Sequence, residues 1–191
     1  MFENEYHDDE NHSSSESDGF SSDDEFVAMR QQRLSGIRKR QAVLEKYLAL
    51  QHGEVTTIQE NEVLDVCKNS TFVVMHFFHK DFERCKLMDA HLKNIAPQYL
   101  GTRFCRIEAE FAAFFCSKLN VQILPCVIMF KGGIGGDRIV GFEGIGNETD
   151  EFTTKDLIRR LNEAHMLYTG MEQFDNQKNE DEDRNTGRLT F

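Results

Sequence analysis

The chain has 191 residues, a formal charge of −11, five cysteines and two prolines. That length holds one compact domain with tails rather than two full domains. No run approaches the ~20 apolar residues of a membrane-spanning helix, so no membrane partner is expected, and the acidic, polar N-terminus reads as free of a secretory signal.

Cys67, Cys85, Cys105, Cys116 and Cys126 contain no Cys-x-x-Cys pair. Without an export signal they read as reduced thiols of a cytoplasmic protein, with the nucleus as a second compartment. Neither they nor the seven histidines show paired ligand spacing, so no metal and no other cofactor is expected.

Charge divides the chain into zones. Residues 1–25 hold ten acids and no Lys or Arg; they lack the apolar content to offset ordering and are expected to be disordered. Ser13, Ser15, Ser21 and Ser22 each have an acid three residues downstream, the pattern an acid-directed kinase uses, and phosphorylation there would add negative charge. Residues 26–51 predict a basic amphipathic helix. Val27, Leu34, Ile37, Leu44 and Leu48 mark one narrow apolar stripe, with Arg30, Arg33, Arg38, Lys39 and Arg40 assigned to the opposite side. Such a helix either docks on its own core or binds a partner. Nucleic acid is not an expected partner, because the basic run stands alone in an acidic chain. A monomer is expected.

From residue 52 to 168 strands and helices alternate. "EVTTI" (54–58) predicts a short strand and "QENEVLDVCKN" (59–69) a helix with Val63, Leu64 and Cys67 inward. "TFVVMHFF" (71–78) is β-branched and aromatic, as in a strand buried on both faces. Residues 83–96 predict a helix with Leu87, Met88, Leu92 and Ile95 on one side. "TRFCRIEAE" predicts a strand, "FAAFFCSKLN" a short helix, and "PCVIMFK" and "DRIVGFEG" two strands joined by the glycine run 132–136. That run matches neither dinucleotide nor Walker spacing and reads as a hairpin turn. Thr153 or Thr154 caps a last helix, and residues 169–191 read as a flexible polar tail. The order β-α-β-α-β-α-β-β-α predicts an α/β domain, a mixed sheet with helices on both faces.

"DFERCK" (81–86) stands where a buried strand turns into a helix, and "ILP" (123–125) opens a later strand. Together with "HGE" (52–54), "HFF…FERCK…DAHL" (76–92), "TRFCRIEAEFAAFFCSKLNVQILP" (102–125) and "VGFEGIGNETDEFTT" (140–154), these stretches resemble the phosducin-like branch of the thioredoxin superfamily. The resemblance spans residues 30 to 161 and implies a thioredoxin-like fold, preceded by the N-terminal helix. It implies a cochaperone of the cytosolic chaperonin acting on tubulin and actin. Some members bind G-protein βγ subunits, which gives an alternative partner.

Aligned with a thioredoxin site, Phe82 takes the attacking cysteine's position, Cys85 the resolving one, Pro125 that of the cis-proline, and His76 that of a buried acid. Disulfide exchange needs an attacking thiolate and a resolving thiol, so the dithiol enzyme is not expected and His76 reads as a core histidine, hydrogen-bonded and functionally silent. A second reading keeps a monothiol or switch-type redox protein on Cys85, paired with Cys126 if the fold brings the two within disulfide distance. Gly-x-Ser-x-Gly and His-Glu-x-x-His sites are both missing from the sequence.

Overall fold

The structure is a computed structural model that describes residues 22–146 and 151–172. The described residues divide into two units between Gly36 and Ile37. Ser22–Ala49 is α-helical (α1). Its first turn carries Asp23, Asp24 and Glu25 and its last Lys46, the signs that suit a helix dipole.

The second unit is built on five strands: β1 (Val55–Thr57), β2 (Phe72–Phe78), β3 (Thr102–Glu108), β4 (Cys126–Lys131) and β5 (Ile134–Val140). Their order across the sheet is β1-β3-β2-β4-β5. β1, β3 and β2 run parallel, while β4 pairs antiparallel with β2 and β5 antiparallel with β4. Phe72–Phe78 is central and buried at six of its seven positions, as its near-continuous apolar run requires.

Four further helices follow: α2 (Val63–Asn69), α3 (Glu83–Ile95), α4 (Ala113–Lys118) and α5 (Thr154–Glu163). Strand alternation divides the core into two layers. Val74, Phe104, Val127, Met129 and Ile139 pack with Met88, Leu92 and Ile95 of α3 and Leu157 and Leu161 of α5. On the other side Val73, Met75, Phe77, Cys105, Cys126 and Ile128 pack with Val63 and Cys67 of α2 and, partly buried, Phe115 and Cys116 of α4.

Two inward assignments are corrected. In α2 the buried pair is Val63 and Cys67, four apart, which turns Leu64 outward, 57% exposed. In α3 the buried positions are Cys85, Met88, Asp89, Leu92 and Ile95, a single stripe at helical spacing; Leu87 falls off it and is exposed.

The glycine run also divides. Gly132 and Gly133 have φ of 58° and 80°, the two left-handed positions that a tight antiparallel hairpin needs. Ile134, Gly135 and Gly136 already belong to β5. Thr153 caps α5 by accepting from the Asp156 N–H, and the Asp156 carboxylate returns to the Thr153 N–H at 2.9 Å, a capping box.

His52 seals the start of the sheet. It is buried, with Nδ1 2.7 Å from the Leu100 carbonyl and Nε2 2.8 Å from Ser70 Oγ. Burial pushes its pKa down to about 4, outweighing the hydrogen bond to Leu100, with Arg103 lowering it further. Among the described residues no helix is long and apolar enough to cross a membrane.

Candidate functional site

β2 leaves the sheet at Phe78, and a short turn delivers Phe82 to the N-cap of α3. Its backbone is extended there (φ −87°, ψ 117°) and no side chain caps the helix. The Phe82 ring is 48% exposed and rests on the His79 ring, centroids 4.6 Å apart.

Cys85 sits in the first turn of α3 and is buried. Its sulfur accepts the His79 N–H at 3.5 Å. Burial pushes the thiol up; that hydrogen bond and Arg84 pull it down by less, and Asp89 adds to the rise. The helix N-terminus that would favour a thiolate is therefore outweighed by desolvation.

Pro125 follows a cis peptide bond from Leu124 and is buried; its carbonyl accepts the Gly141 N–H at 2.7 Å. Cys126, the next residue, is paired in register with Phe77 and packs with it on the α2 and α4 side. α3, which carries Cys85, packs its stripe on the opposite side. Strand alternation aims Cys126 toward the α2 and α4 face, and all five cysteines are free. Burial raises Cys126 against the pull of Arg138, and raises Cys67 to about 11 and Cys105 to about 12.

His76 is packed in the core and hydrogen-bonded. It is fully buried, and its Nδ1 lies 2.8 Å from Asp89 Oδ1, while Arg106 grips the other Asp89 oxygen. Burial pushes the Asp89 carboxyl up, but the hydrogen bonds and charges of His76 and Arg106 outweigh it and hold the carboxyl below its ordinary value. His76 Nε2 has no hydrogen-bond partner. The signal for this network was an acid on the buried stripe of α3, four residues after Cys85, where a solvated carboxylate cannot sit unpaired. Among the described residues no group of three or more His, Cys, Asp or Glu is arranged to hold a metal ion.

α1 needs a correction of its own. Residues four apart share one side of a helix, so Arg30 lies beside Leu34 and Arg40 beside Leu44. The basic residues therefore intermingle with the apolar ones instead of opposing them. In the first unit Phe26, Val27, Met29 and Leu34 are exposed. In the second, Ile37 and Leu48 are exposed and Leu44 is half-buried. Arg30, Arg33, Arg38, Lys39 and Arg40 are all exposed. Ser22 opens α1; Ser13, Ser15 and Ser21 lie outside the described residues.

The sequence model of the Phosducin family matches residues 17–183, and the chain belongs to that family. It is 38% identical over 145 residues to thioredoxin domain-containing protein PLP3A of Arabidopsis thaliana, covering 76% of this chain and 63% of that protein. The chain thus spans less than two thirds of that relative's length. It is 38% identical over 148 residues to phosducin-like protein 3 of Dictyostelium discoideum, covering 78% of this chain and 79% of the other. It is 37% identical over 161 residues to human thioredoxin domain-containing protein 9, with 82% and 71% covered. Among solved structures, the long form of thioredoxin f from spinach chloroplast superposes with a TM-score of 0.52 at 17% identity, over 63% of this chain and 93% of that one. The fold is thioredoxin-like; at that identity the likeness is of fold alone.

Proposed function

We propose that this protein is a non-enzymatic cochaperone that binds the cytosolic chaperonin and modulates the folding of tubulin and actin. The observation that carries the reading is α1, where exposed basic residues stand among exposed large apolar ones. A surface of that kind attracts an acidic partner at long range and then buries apolar area on contact. The Phosducin family model across residues 17–183 supports the same reading. Phe82 in place of a nucleophile, and thiols raised by burial, favour binding over disulfide chemistry. The reading implies a cytoplasmic protein.

The test is co-migration of the purified protein with purified cytosolic chaperonin on a native gel, with and without unfolded tubulin. A complex weakened by the Arg30→Glu/Arg33→Glu/Arg38→Glu variant is the expected result. A charge-reversed arm that binds as well as the native one would remove α1 from the contact. Failure to form a complex under any condition would overturn the cochaperone reading. An insulin turbidity assay addresses the redox alternative, and no disulfide reduction is expected.

A further inference from the structure

One end of the sheet carries an apolar surface that the cochaperone reading does not use. β1, β3 and β2 are parallel, so Phe78 and Glu108 finish side by side. β4 runs the other way and begins at that same end, with Cys126 beside Phe77. Phe82 follows the end of β2, Phe111 and Phe114 follow the end of β3, and Ile123 precedes the start of β4. All four are exposed, by 48%, 67%, 57% and 57% in turn. Single exposed apolar residues are ordinary on protein surfaces; several large ones gathered at one end are not.

Two of these side chains are held in place. The Phe82 ring rests on His79, and the Phe114 ring meets Phe115 edge-on with centroids 5.2 Å apart. The first turn of α4, which carries Phe114, is pinned by Glu60, whose Oε1 accepts the Phe114 and Phe115 N–H groups at 2.8 and 3.3 Å. Phe82 is also a poor choice for the fold itself. N-cap positions favour Ser, Thr, Asp or Asn, whose side chains accept a first-turn N–H, and Phe82 supplies no such acceptor. A residue that forgoes a helix cap to expose a ring suits contact with something outside the chain.

The charges nearby say what that something is. Lys80 lies 3.9 Å from Glu108, Lys86 pairs with Glu83 at 2.6 Å, and Lys118 lies over the Phe114 ring. Both signs occur and largely pair with each other, so this end offers little to a strongly charged partner. α1, by contrast, presents exposed Arg30, Arg33, Arg38, Lys39 and Arg40. The two surfaces match different chemistries. We propose that Phe82, Phe111, Phe114 and Ile123 form a docking surface for an extended, uncharged, apolar segment of a non-native polypeptide. As the client-binding counterpart of the arm, the surface rests on the cochaperone reading for its biological role, but it can be measured without the chaperonin.

The probe is fluorescently labelled, reduced and carbamidomethylated α-lactalbumin, a permanently unfolded chain whose blocked thiols carry no added charge, titrated with the full-length protein at about 0.5 M sodium chloride, where contact with the basic arm is screened, and read by anisotropy. The Phe82→Ser/Ile123→Ser and Phe111→Ser/Phe114→Ser variants are expected to bind about tenfold more weakly or worse, the loss typical of removing buried apolar anchors. Arg30→Glu/Arg33→Glu should bind the probe as the native protein does while losing chaperonin co-migration. Phe82→Ser alone should unfold at a temperature no lower than the native protein, because serine caps α3, so its weaker binding would not be a folding defect. Undiminished binding by both double variants, or no binding by the native protein, overturns the proposal and leaves the chaperonin result standing. Native protein that self-associates in sedimentation, with both double variants monomeric, would make a second copy the occupant and overturn it too.

Discussion

At Cys85 two local forces oppose each other: the start of α3 favours a thiolate, while the buried surroundings favour the thiol, and burial wins. Burial likewise raises the Cys67, Cys105 and Cys126 thiols, whereas Cys116 is only half-buried. In the native protein a maleimide should therefore modify Cys116 first, with Cys85 and Cys126 reacting only as the chain opens. Rapid native labelling of Cys85, read by mass spectrometry, would contradict the burial argument. His52 gives a pH prediction. Its native pKa is about 4, below the ~6.5 of an unfolded histidine. Between those values the unfolded chain binds the proton and the native state does not, so stability falls as pH falls, by roughly 3 kcal/mol across the window. Asp89, lowered in the native state, contributes stability that is lost only at more acidic pH. His52→Gln should be less stable near neutrality, and its urea midpoint should vary less with pH over the same window. A slope matching the native protein's would assign the pH dependence elsewhere.

Elements formed where periodicity was clear. The Val63/Cys67 spacing, the stripe from Cys85 to Ile95 and the capping box of α5 are local signals, and each produced its helix. Thr153→Ala should lower stability by about 1 kcal/mol, the usual worth of an N-cap side chain, as read from the shift in urea midpoint at constant slope. Leu64 and Leu87 show where apolar character misleads: each is beside a buried stripe, and only the helix's rotation turns it outward. In α1 the same geometry intermixes basic and apolar side chains, which a reading of spacing among the apolar residues alone overlooks. The glycine run shows a turn and a strand sharing one composition, with only Gly132 and Gly133 taking positive φ among its five residues.

Across the whole molecule, two surfaces of different character call for different salt dependence. Binding through α1 is electrostatic at its outset and should weaken as ionic strength rises and screening shortens. Binding at the apolar end should change little under the same conditions, since its driving force is burial. Measuring chaperonin co-migration and unfolded-chain anisotropy at about 0.05 and 0.5 M sodium chloride, where the Debye length falls severalfold, separates the two. Parallel weakening would mean that a single electrostatic surface serves both.

The sequence by itself determined the order of the elements, the burial of Phe72–Phe78 and the replacement of a dithiol site by Phe82 and Cys85. These depend on neighbours along the chain: β-branched runs, helical spacing, cap residues and a motif. Tertiary structure decided what lies across from what. It sent Cys126 to the side of the sheet away from α3, joined His76 to Asp89 and Arg106, set His52 between Leu100 and Ser70, and brought Phe82, Phe111, Phe114 and Ile123 to one end. Those relations follow from strand order and register, which link residues tens of positions apart. Local periodicity carries no record of them, because a one-residue change of register would move every strand side chain to the opposite face.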